Sequence, residues 1–122
     1  MDKIIIKGIE VFAFHGALPE ENSLGQKFYI DLELYKDLKK AGSLDNLEDT
    51  VHYGMVHDTV VNLCKNNTYK LIEKVADEIA KEVIKNYDIE KIKVKIRKPN
   101  APIRGHFEYV AVEIERNKND YK

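Results

Sequence analysis

Two adjacent carboxylates, Glu20 and Glu21, follow the first apolar segment of the chain, in the stretch FAFHGALPEEN at 12–22. A carboxylate at the exit of a strand can bind a substrate or help to move a proton. Acidic residues in a loop are also commonly just solvated. Spacing gives no reason to prefer one of the two, so from these residues alone both glutamates remain candidates for a functional acid.

Three further positions combine a reactive side chain with a structural signal. Lys98 ends an alternating strand and precedes a proline, which holds its backbone extended. It is a candidate acid, base or Schiff-base nucleophile, or one more lysine of a charged strand face. Tyr53, beside His52 at the start of a helix, can move a proton or simply keep its hydroxyl in water. Glu73 lies at the rim of an apolar helix face. A carboxylate there can bind an amidine-like ligand edge, or it can simply stabilise the helix through the helix dipole. Glu82 intrudes on the same apolar face, so position alone does not single out Glu73.

The remaining reactive residue types give no metal or cofactor signal. The four histidines show no HExxH pattern, and the spacing of His52 and His57 does not place them on one helix face. Cys64 is the single cysteine, which excludes an intramolecular disulfide, and its apolar helical surroundings predict a buried small hydrophobe. No glycine pattern predicts a phosphate or dinucleotide site. We therefore expect neither a metal nor a cofactor.

Length and composition predict a single domain covering 1–122. The chain has 122 residues, of which 43% are hydrophobic and 34% charged, so it can form a core and lacks the bias of disordered chains. Its net charge of -1 provides no field that would gather nucleic acid or an anionic membrane. No segment approaches the roughly 18 apolar residues of a membrane span, and the start of the chain lacks a signal-peptide pattern. We expect a cytoplasmic protein with no nucleic-acid or membrane partner.

The hydrophobic pattern predicts an α+β domain with the element order ββααββ. Strand-like alternation covers 3–14, 26–38, 89–98 and 106–115, helical spacing covers about 53–64 and 69–86, and a turn cluster covers 41–46. The sheet should be mostly antiparallel, with both helices on its apolar face. Its other face carries lysines on one strand and glutamates on the neighbouring ones, which can pair across the ladder. That face is either exposed to water or lines a barrel formed when several copies join their sheet edges.

Four motifs, spread over nearly the whole chain, occur together in one order. They are FHGALPEEN, DTVHYGMV, LIEKVADEIA and KPNAPIRGHFEYVAVEIER. With these motifs the chain resembles the dihydroneopterin aldolases of folate biosynthesis. The resemblance implies the tunnelling fold, a ββααββ unit of which four close a barrel, and two such rings usually stack into an octamer. It also implies active sites between subunits and a polar barrel lumen, and it selects Glu21 over Glu20 as the functional acid.

The same resemblance implies a pterin pocket with defined residue roles. Glu73 grips the 2-amino and N3 edge of the pterin, and the backbone of Ile72 helps to hold the ring. Lys98 is the general acid/base, acting with a water on the substrate hydroxyl and on ring N5. Glu21 and Tyr53 come from the neighbouring subunit, where Glu21 binds and positions the substrate and Tyr53 relays a proton. Two further residues line the pocket: Val51 and His52.

The implied reaction cleaves 7,8-dihydroneopterin into 6-hydroxymethyl-7,8-dihydropterin and glycolaldehyde. A retro-aldol step needs a base on the hydroxyl and a sink for the electrons of the broken bond, which aldolases usually supply as a lysine Schiff base or zinc. The C=N bond in the dihydropterin ring already provides that sink, so neither device is required. Two alternatives remain open: an epimerase acting on dihydroneopterin or its triphosphate, which shares the cleavage step, and a non-catalytic pterin-binding ring.

Overall fold

The computed structural model describes residues 1–122 as an α+β domain with one antiparallel sheet. Its strands lie in chain order and are β1 (Lys3–Ala13), β2 (Gln26–Tyr35), β3 (Lys91–Lys98) and β4 (Val110–Asn117). The α-helices are α1 (Pro19–Leu24), α2 (Lys39–Leu44), α3 (Tyr53–Asn66) and α4 (Ile72–Asn86), and short 3-10 turns occupy Leu47–Asp49 and Lys118–Tyr121. The predicted ββααββ arrangement is confirmed. None of the helices combines the length and apolar character needed to cross a membrane.

One face of the sheet forms the core because the strands alternate apolar and polar residues. In β2 every second residue is buried, from Phe28 to Leu34, while the residues between them are partly exposed. The long helices cover this face: α3 packs mainly on β1, and α4 on β3 and β4. The apolar stripe of α4 consists of Ile72, Val75, Ala76, Ile79, Ala80, Val83 and Ile84. This stripe has the helical period, so the helix buries one side and leaves its charged side in water.

The opposite face of the sheet carries the predicted ladder of opposite charges. Lys93 on β3 lies across from Glu33 on β2 and Glu115 on β4. The guanidinium of Arg97 donates two hydrogen bonds of 3.0 Å to the carboxylate of Asp31. Such cross-strand pairs favour the observed register, because a slip of one residue would move charges into the core.

The structure differs from the sequence-based prediction in its short elements. The sequence predicted a loop after the first strand and a turn at 41–46, but helices occupy Pro19–Leu24 and Lys39–Leu44. Neither helix buries an apolar residue, so neither has the apolar periodicity on which the prediction depended. Pro19 at the first turn of α1 is the local signal that could have indicated a helix start. At the other end of the chain, β4 begins at Val110 rather than near 106.

Candidate active site

A buried ion pair joins Lys98 to Glu21 where β3 ends. Lys98 continues the buried side of β3 after Val94 and Ile96, so the strand alternation turns its side chain inward. Its Nζ lies 2.5 Å from Oε2 of Glu21, and the two side chains are only 11% and 9% exposed. Two charges so withdrawn from water need each other, because either alone would be strongly disfavoured there.

Short-range contacts fold α1 back so that Glu21 reaches Lys98. The Asn22 side-chain amide donates to the carbonyls of Phe14, at 2.9 Å, and of Gly16, at 3.0 Å, and thereby fastens α1 to the exit of β1. Gly16 is required for this approach, since a Cβ there would lie 2.6 Å from the Cβ and Oε1 atoms of Glu21. The sequence FHGALPEEN therefore builds a compact support for one carboxylate.

The position of Glu21 corrects one expectation. The resemblance implied that Glu21 acts in the neighbouring subunit, but its carboxylate pairs with Lys98 of its own chain. The reason is the short helix α1, which turns the segment after β1 back across the end of the sheet. Glu20, the adjacent acid, takes part in no hydrogen bond or ion pair and is exposed.

Three donors surround the Glu21 carboxylate. Burial by itself would raise the pKa of this carboxyl. The hydrogen bonds from Lys98, from the Gln26 amide at 2.9 Å and from the Leu18 backbone N–H at 3.3 Å outweigh burial and hold the pKa below its usual range. Glu21 is therefore an ionised carboxylate at neutral pH, and it also caps the helix that carries it.

His15 ties the site to the connection between the long helices. It is 1% exposed, and its Nδ1 accepts a 3.0 Å hydrogen bond from the backbone N–H of Tyr69, on whose ring it stacks. Burial lowers the pKa of His15, and the nearby charge of Lys98 acts in the same direction, while the Cys64 carbonyl opposes them. A neutral imidazole accepting through Nδ1 carries its proton on Nε2. The imidazole thus fixes the 67–71 segment that leads into α4.

Glu73 lies at the same end of the molecule as Lys98. The helix α4, of 15 residues, and the strand β3, of 8 residues, have similar lengths of about 22 and 26 Å. They are joined by a short turn and pack together, so the start of the helix meets the end of the strand. Ile72 is buried, whereas Glu73 is exposed and its carboxylate has no hydrogen bond or ion pair within the chain. That carboxylate is free to accept hydrogen bonds from a ligand.

Tyr53, His52 and Val51 lie at the opposite end. A 2.8 Å hydrogen bond between Thr59 and Tyr87 ties the middle of α3 to the end of α4, so the start of α3 points away from Glu73. The Tyr53 side chain is 65% exposed. His52 caps α3 by accepting at Nδ1 from the Met55 N–H at 3.3 Å, and the Val51 side chain is buried in the core. The expected site residues therefore lie at two opposite ends of the folded molecule.

One residue beside the ion pair was missed by the sequence analysis. Gln26 is the first residue of β2 and donates to Glu21, and its place on the apolar face of that strand is the signal that could have found it. An open depression of about 540 Å³ lies next to Gln26 and Glu21. It is lined by Glu21, Gln26, Phe12, Leu24 and Asn100, among others.

The structure also bears on metal binding and on the thiol. No group of three or more histidine, cysteine or acidic side chains is close enough together to hold a metal ion. Cys64 is buried, as predicted, and burial raises the pKa of its thiol to about 12. A thiol with such a pKa is not a nucleophile at neutral pH.

Comparison with known proteins identifies the family. The family model for dihydroneopterin aldolase (FolB) matches residues 4–115. The chain belongs to the dihydroneopterin aldolase family. The dihydroneopterin aldolase of Streptococcus pyogenes serotype M18 (strain MGAS8232) is 46% identical over 119 residues, which cover 97% of this chain and 100% of the relative. The enzyme of Bacillus subtilis (strain 168) is 39% identical over 120 residues, covering 98% and 100%.

A solved structure of the same family has the same fold. The atomic-resolution crystal structure of the E. coli dihydroneopterin aldolase in complex with neopterin superposes with a TM-score of 0.89 at 30% identity, covering 96% of this chain and 100% of the other. The fold is thus the tunnelling fold expected from the resemblance. The activity is that of a dihydroneopterin aldolase, a carbon–carbon lyase, and folate biosynthesis fits it.

Proposed function

We propose that the Lys98–Glu21 pair is the proton-transfer centre of this aldolase, and that the reaction uses neither a metal nor a Schiff base. The observation that carries this proposal is the 2.5 Å contact between the two buried charged groups where β3 ends, at the end of the molecule where Glu73 of α4 also lies. An ammonium held by a carboxylate has no lone pair with which to attack a carbonyl, but it can donate a proton. The pair is therefore suited to acid/base catalysis.

Proton transfers complete the chemistry. A water held by Lys98 takes the proton of the side-chain hydroxyl and passes it to the Lys98 amine as that amine gives its own proton to N5. The carbon–carbon bond breaks, and glycolaldehyde leaves. The bond electrons enter the ring C=N, and Lys98 supplies the proton that N5 needs. The enamine then takes a proton at its exocyclic carbon from the Tyr53 hydroxyl of a neighbouring subunit. The N5 proton returns to that tyrosine oxygen through water, which restores the C=N bond of the product and the starting state of the site. Each positioned proton transfer contributes about 10²–10⁴-fold to the rate.

Glu73 and Ile72 form the pterin clamp of the proposed site. The Glu73 carboxylate is exposed and unpaired, and the 2-amino and N3 edge of a pterin presents two adjacent N–H donors to such a group. Ile72 is the first residue of α4, where backbone N–H groups have no partner within the helix and are available to a ligand. The neopterin bound to the E. coli relative supports a pterin ligand for this chain.

Tyr53 requires a second chain, because it lies a helix length away from Glu73 and Lys98. We place its hydroxyl, together with His52 and the backbone of Val51, in the pocket of a neighbouring subunit. The outer strands β1 and β4 each have one unpaired edge, and joining these edges in a ring of four copies would close a barrel lined by the charged face. Two such rings would form the octamer, in a cytoplasmic enzyme whose thiol stays reduced.

Incubation of the purified protein with 7,8-dihydroneopterin in excess chelator tests the chemistry. We expect 6-hydroxymethyl-7,8-dihydropterin and an equal amount of glycolaldehyde, with no inactivation by borohydride. Loss of activity in chelator, or trapping of an adduct on Lys98, would disprove the mechanism. Glycolaldehyde release also separates the aldolase from an epimerase, which re-forms the bond.

Mixed oligomers test the shared site. Tyr53→Phe and Lys98→Ala chains are each expected to have strongly reduced activity, but co-refolding them should restore activity in those interfaces where an intact Tyr53 meets an intact Lys98. If hybrid oligomers form, as native mass spectrometry would show, and activity does not return, the two residues do not share a site across subunits.

A further inference from the structure

Gln26 is a polar residue in an apolar position. It begins β2 on the side that continues with Phe28, Ile30 and the other core residues of that strand, and it is only 9% exposed. A buried amide in a core is unfavourable unless it makes hydrogen bonds. The fold therefore keeps this side chain inside for what it contacts, rather than for packing alone.

The contacts of Gln26 converge on one oxygen atom. Its Nε2 donates to Oε2 of Glu21 at 2.9 Å, and the Nζ of Lys98 lies 2.5 Å from the same atom. The other oxygen, Oε1, receives only the longer bond of 3.3 Å from the Leu18 N–H. Oε2 is thus held between a neutral donor on β2 and a charged donor on β3.

The orientation of the amide is fixed by chemistry. An ionised carboxylate only accepts, so the amide must present its NH₂ group to Glu21. Its own oxygen then points elsewhere and is buried with no hydrogen-bond partner. A buried acceptor without a hydrogen bond is unfavourable, but only this orientation of the amide donates a hydrogen bond to Glu21. The hydrogen bond to Glu21 is therefore the contact that orients this amide.

We propose that Gln26 is a positioning residue of the active site, which holds Oε2 of Glu21 against Lys98 so that the remaining hydrogens of the ammonium point to the substrate. Gln26 does not touch the substrate in this role, and the inference rests on the proposed roles of Lys98 and Glu21. Without the amide, the Glu21 side chain can rotate away from the end of β3. The lysine then loses its orientation, although the pterin clamp at Glu73 is unaffected.

This role predicts a loss in kcat rather than in KM. Gln26→Met keeps the volume and removes the hydrogen bond, so kcat should fall about tenfold or more, with KM for dihydroneopterin and the affinity for the pterin product little changed. The acidic limb of the pH profile should also move to higher pH, because Glu21 loses one of the donors that lower its pKa. The charged group facing Glu21 is Lys98, and His15, which lies near Lys98, is held neutral by burial.

Gln26→Glu provides a second, sharper variant. The new carboxyl can donate to Glu21 only while it is protonated, so activity relative to the parent should fall as the pH rises through its titration. The matched control is Lys27→Met, at the next residue of β2, whose side chain is 57% exposed and which should keep the parent profile. Circular dichroism and oligomer size establish that each variant is folded.

Two results would overturn the inference: Gln26→Met with unchanged kcat and pH profile, or Gln26→Glu with an activity ratio that does not depend on pH. If Gln26→Met does not fold, the pH dependence of Gln26→Glu decides alone. A fully active Lys98→Ala enzyme would refute the proposed proton-transfer centre itself. Inactive Lys98→Ala together with normal Gln26 variants would refute only the positioning role.

Discussion

The two ends of the helical layer differ in how far a single chain fixes the candidate site residues that lie there. Where β3 ends, Lys98 and Glu21 are buried, paired and supported by Gln26, and Glu73 stands nearby. At the start of α3, Tyr53 is 65% exposed, and its hydroxyl has no partner in the chain. The charged side chains where β3 ends are held in place by contacts within the chain, whereas the start of α3 carries an exposed tyrosine hydroxyl on the surface.

This difference separates what one chain can prepare from what assembly must add. Burial and ion pairing fix a carboxylate and an ammonium before any ligand arrives, and such preorganisation avoids reorganisation during the reaction. An exposed tyrosine hydroxyl stays in water until a second surface covers it.

Substitution of Lys98 should produce the largest effect. Lys98→Ala is expected to lower kcat by about 10²–10⁴-fold, while pterin binding is largely retained. It also leaves Glu21 buried without its partner, which should lower the free energy of unfolding by about 3–5 kcal/mol. Tyr53→Phe should lower turnover but change stability by no more than about 0.5 kcal/mol, since the hydroxyl is exposed. Product formation measures the change in turnover, and urea unfolding measures the change in stability. Equal losses of stability in the two variants would contradict the contrast between the two ends of the molecule.

The pterin clamp should respond in affinity. Glu73→Ala is expected to raise KM about 10- to 100-fold, because paired hydrogen bonds to a carboxylate are lost. The control is Glu78→Ala on the same helix, which removes only an exposed ion pair of 2.8 Å with Lys74. A normal KM in Glu73→Ala would remove this residue from the site.

Gly16→Ala tests whether the position of the Glu21 carboxylate depends on the close approach of Glu21 to Gly16. The new Cβ would collide with Glu21 and displace its carboxylate from Lys98, so kcat should fall about tenfold. Gly42→Ala is the matched control, since a Cβ at Gly42 would have no neighbour within 4 Å. Similar activities of the two variants in steady-state kinetics would show that α1 tolerates the shift and that Glu21 needs no fixed position.

Acid unfolding should show the smallest effect. The pKa of Glu21 is lower in the folded state than its usual value of 4.5, so its contribution to stability is present above that value and is lost as the pH falls through the folded-state pKa. Urea unfolding of Glu21→Gln should therefore depend less on pH in this range than that of the parent. Glu20→Gln, at the exposed neighbour, should behave like the parent; a matching pH dependence in all three would place Glu21 in solvent.

The long elements were predictable because their burial follows a simple period. Alternation identified β2 and β3, and the wide apolar stripe identified α4, all within a few residues of their ends. The helix α1 was not predictable in this way, because it buries no apolar residue and is held by hydrogen bonds from Asn22. Patterns of hydrophobic residues do not report contacts of that kind.

The candidate site was predictable as a set of residue types, but not as a geometry. The motifs indicated Glu21, Lys98 and Glu73, whereas the subunit that holds Glu21 depends on how α1 folds back. Gln26 was overlooked because the alternation of β2 was interpreted from its apolar residues alone. A polar residue at a buried position of such a strand is unusual, and this is the signal that could have indicated Gln26. The distribution of Tyr53 and Lys98 to opposite ends follows from the antiparallel packing of α3 and α4, which no single motif encodes.

The ion pair also joins two hairpins that are far apart in the chain. Glu21 lies in the connection of the hairpin β1–β2, and Lys98 belongs to the hairpin β3–β4, with both long helices between them in the chain. Local hairpin contacts form early in folding, while contacts between distant segments wait for the entropy of closing a long loop. The buried pair can exist only after the two hairpins have docked. During refolding, recovery of enzymatic activity should therefore lag behind recovery of secondary structure.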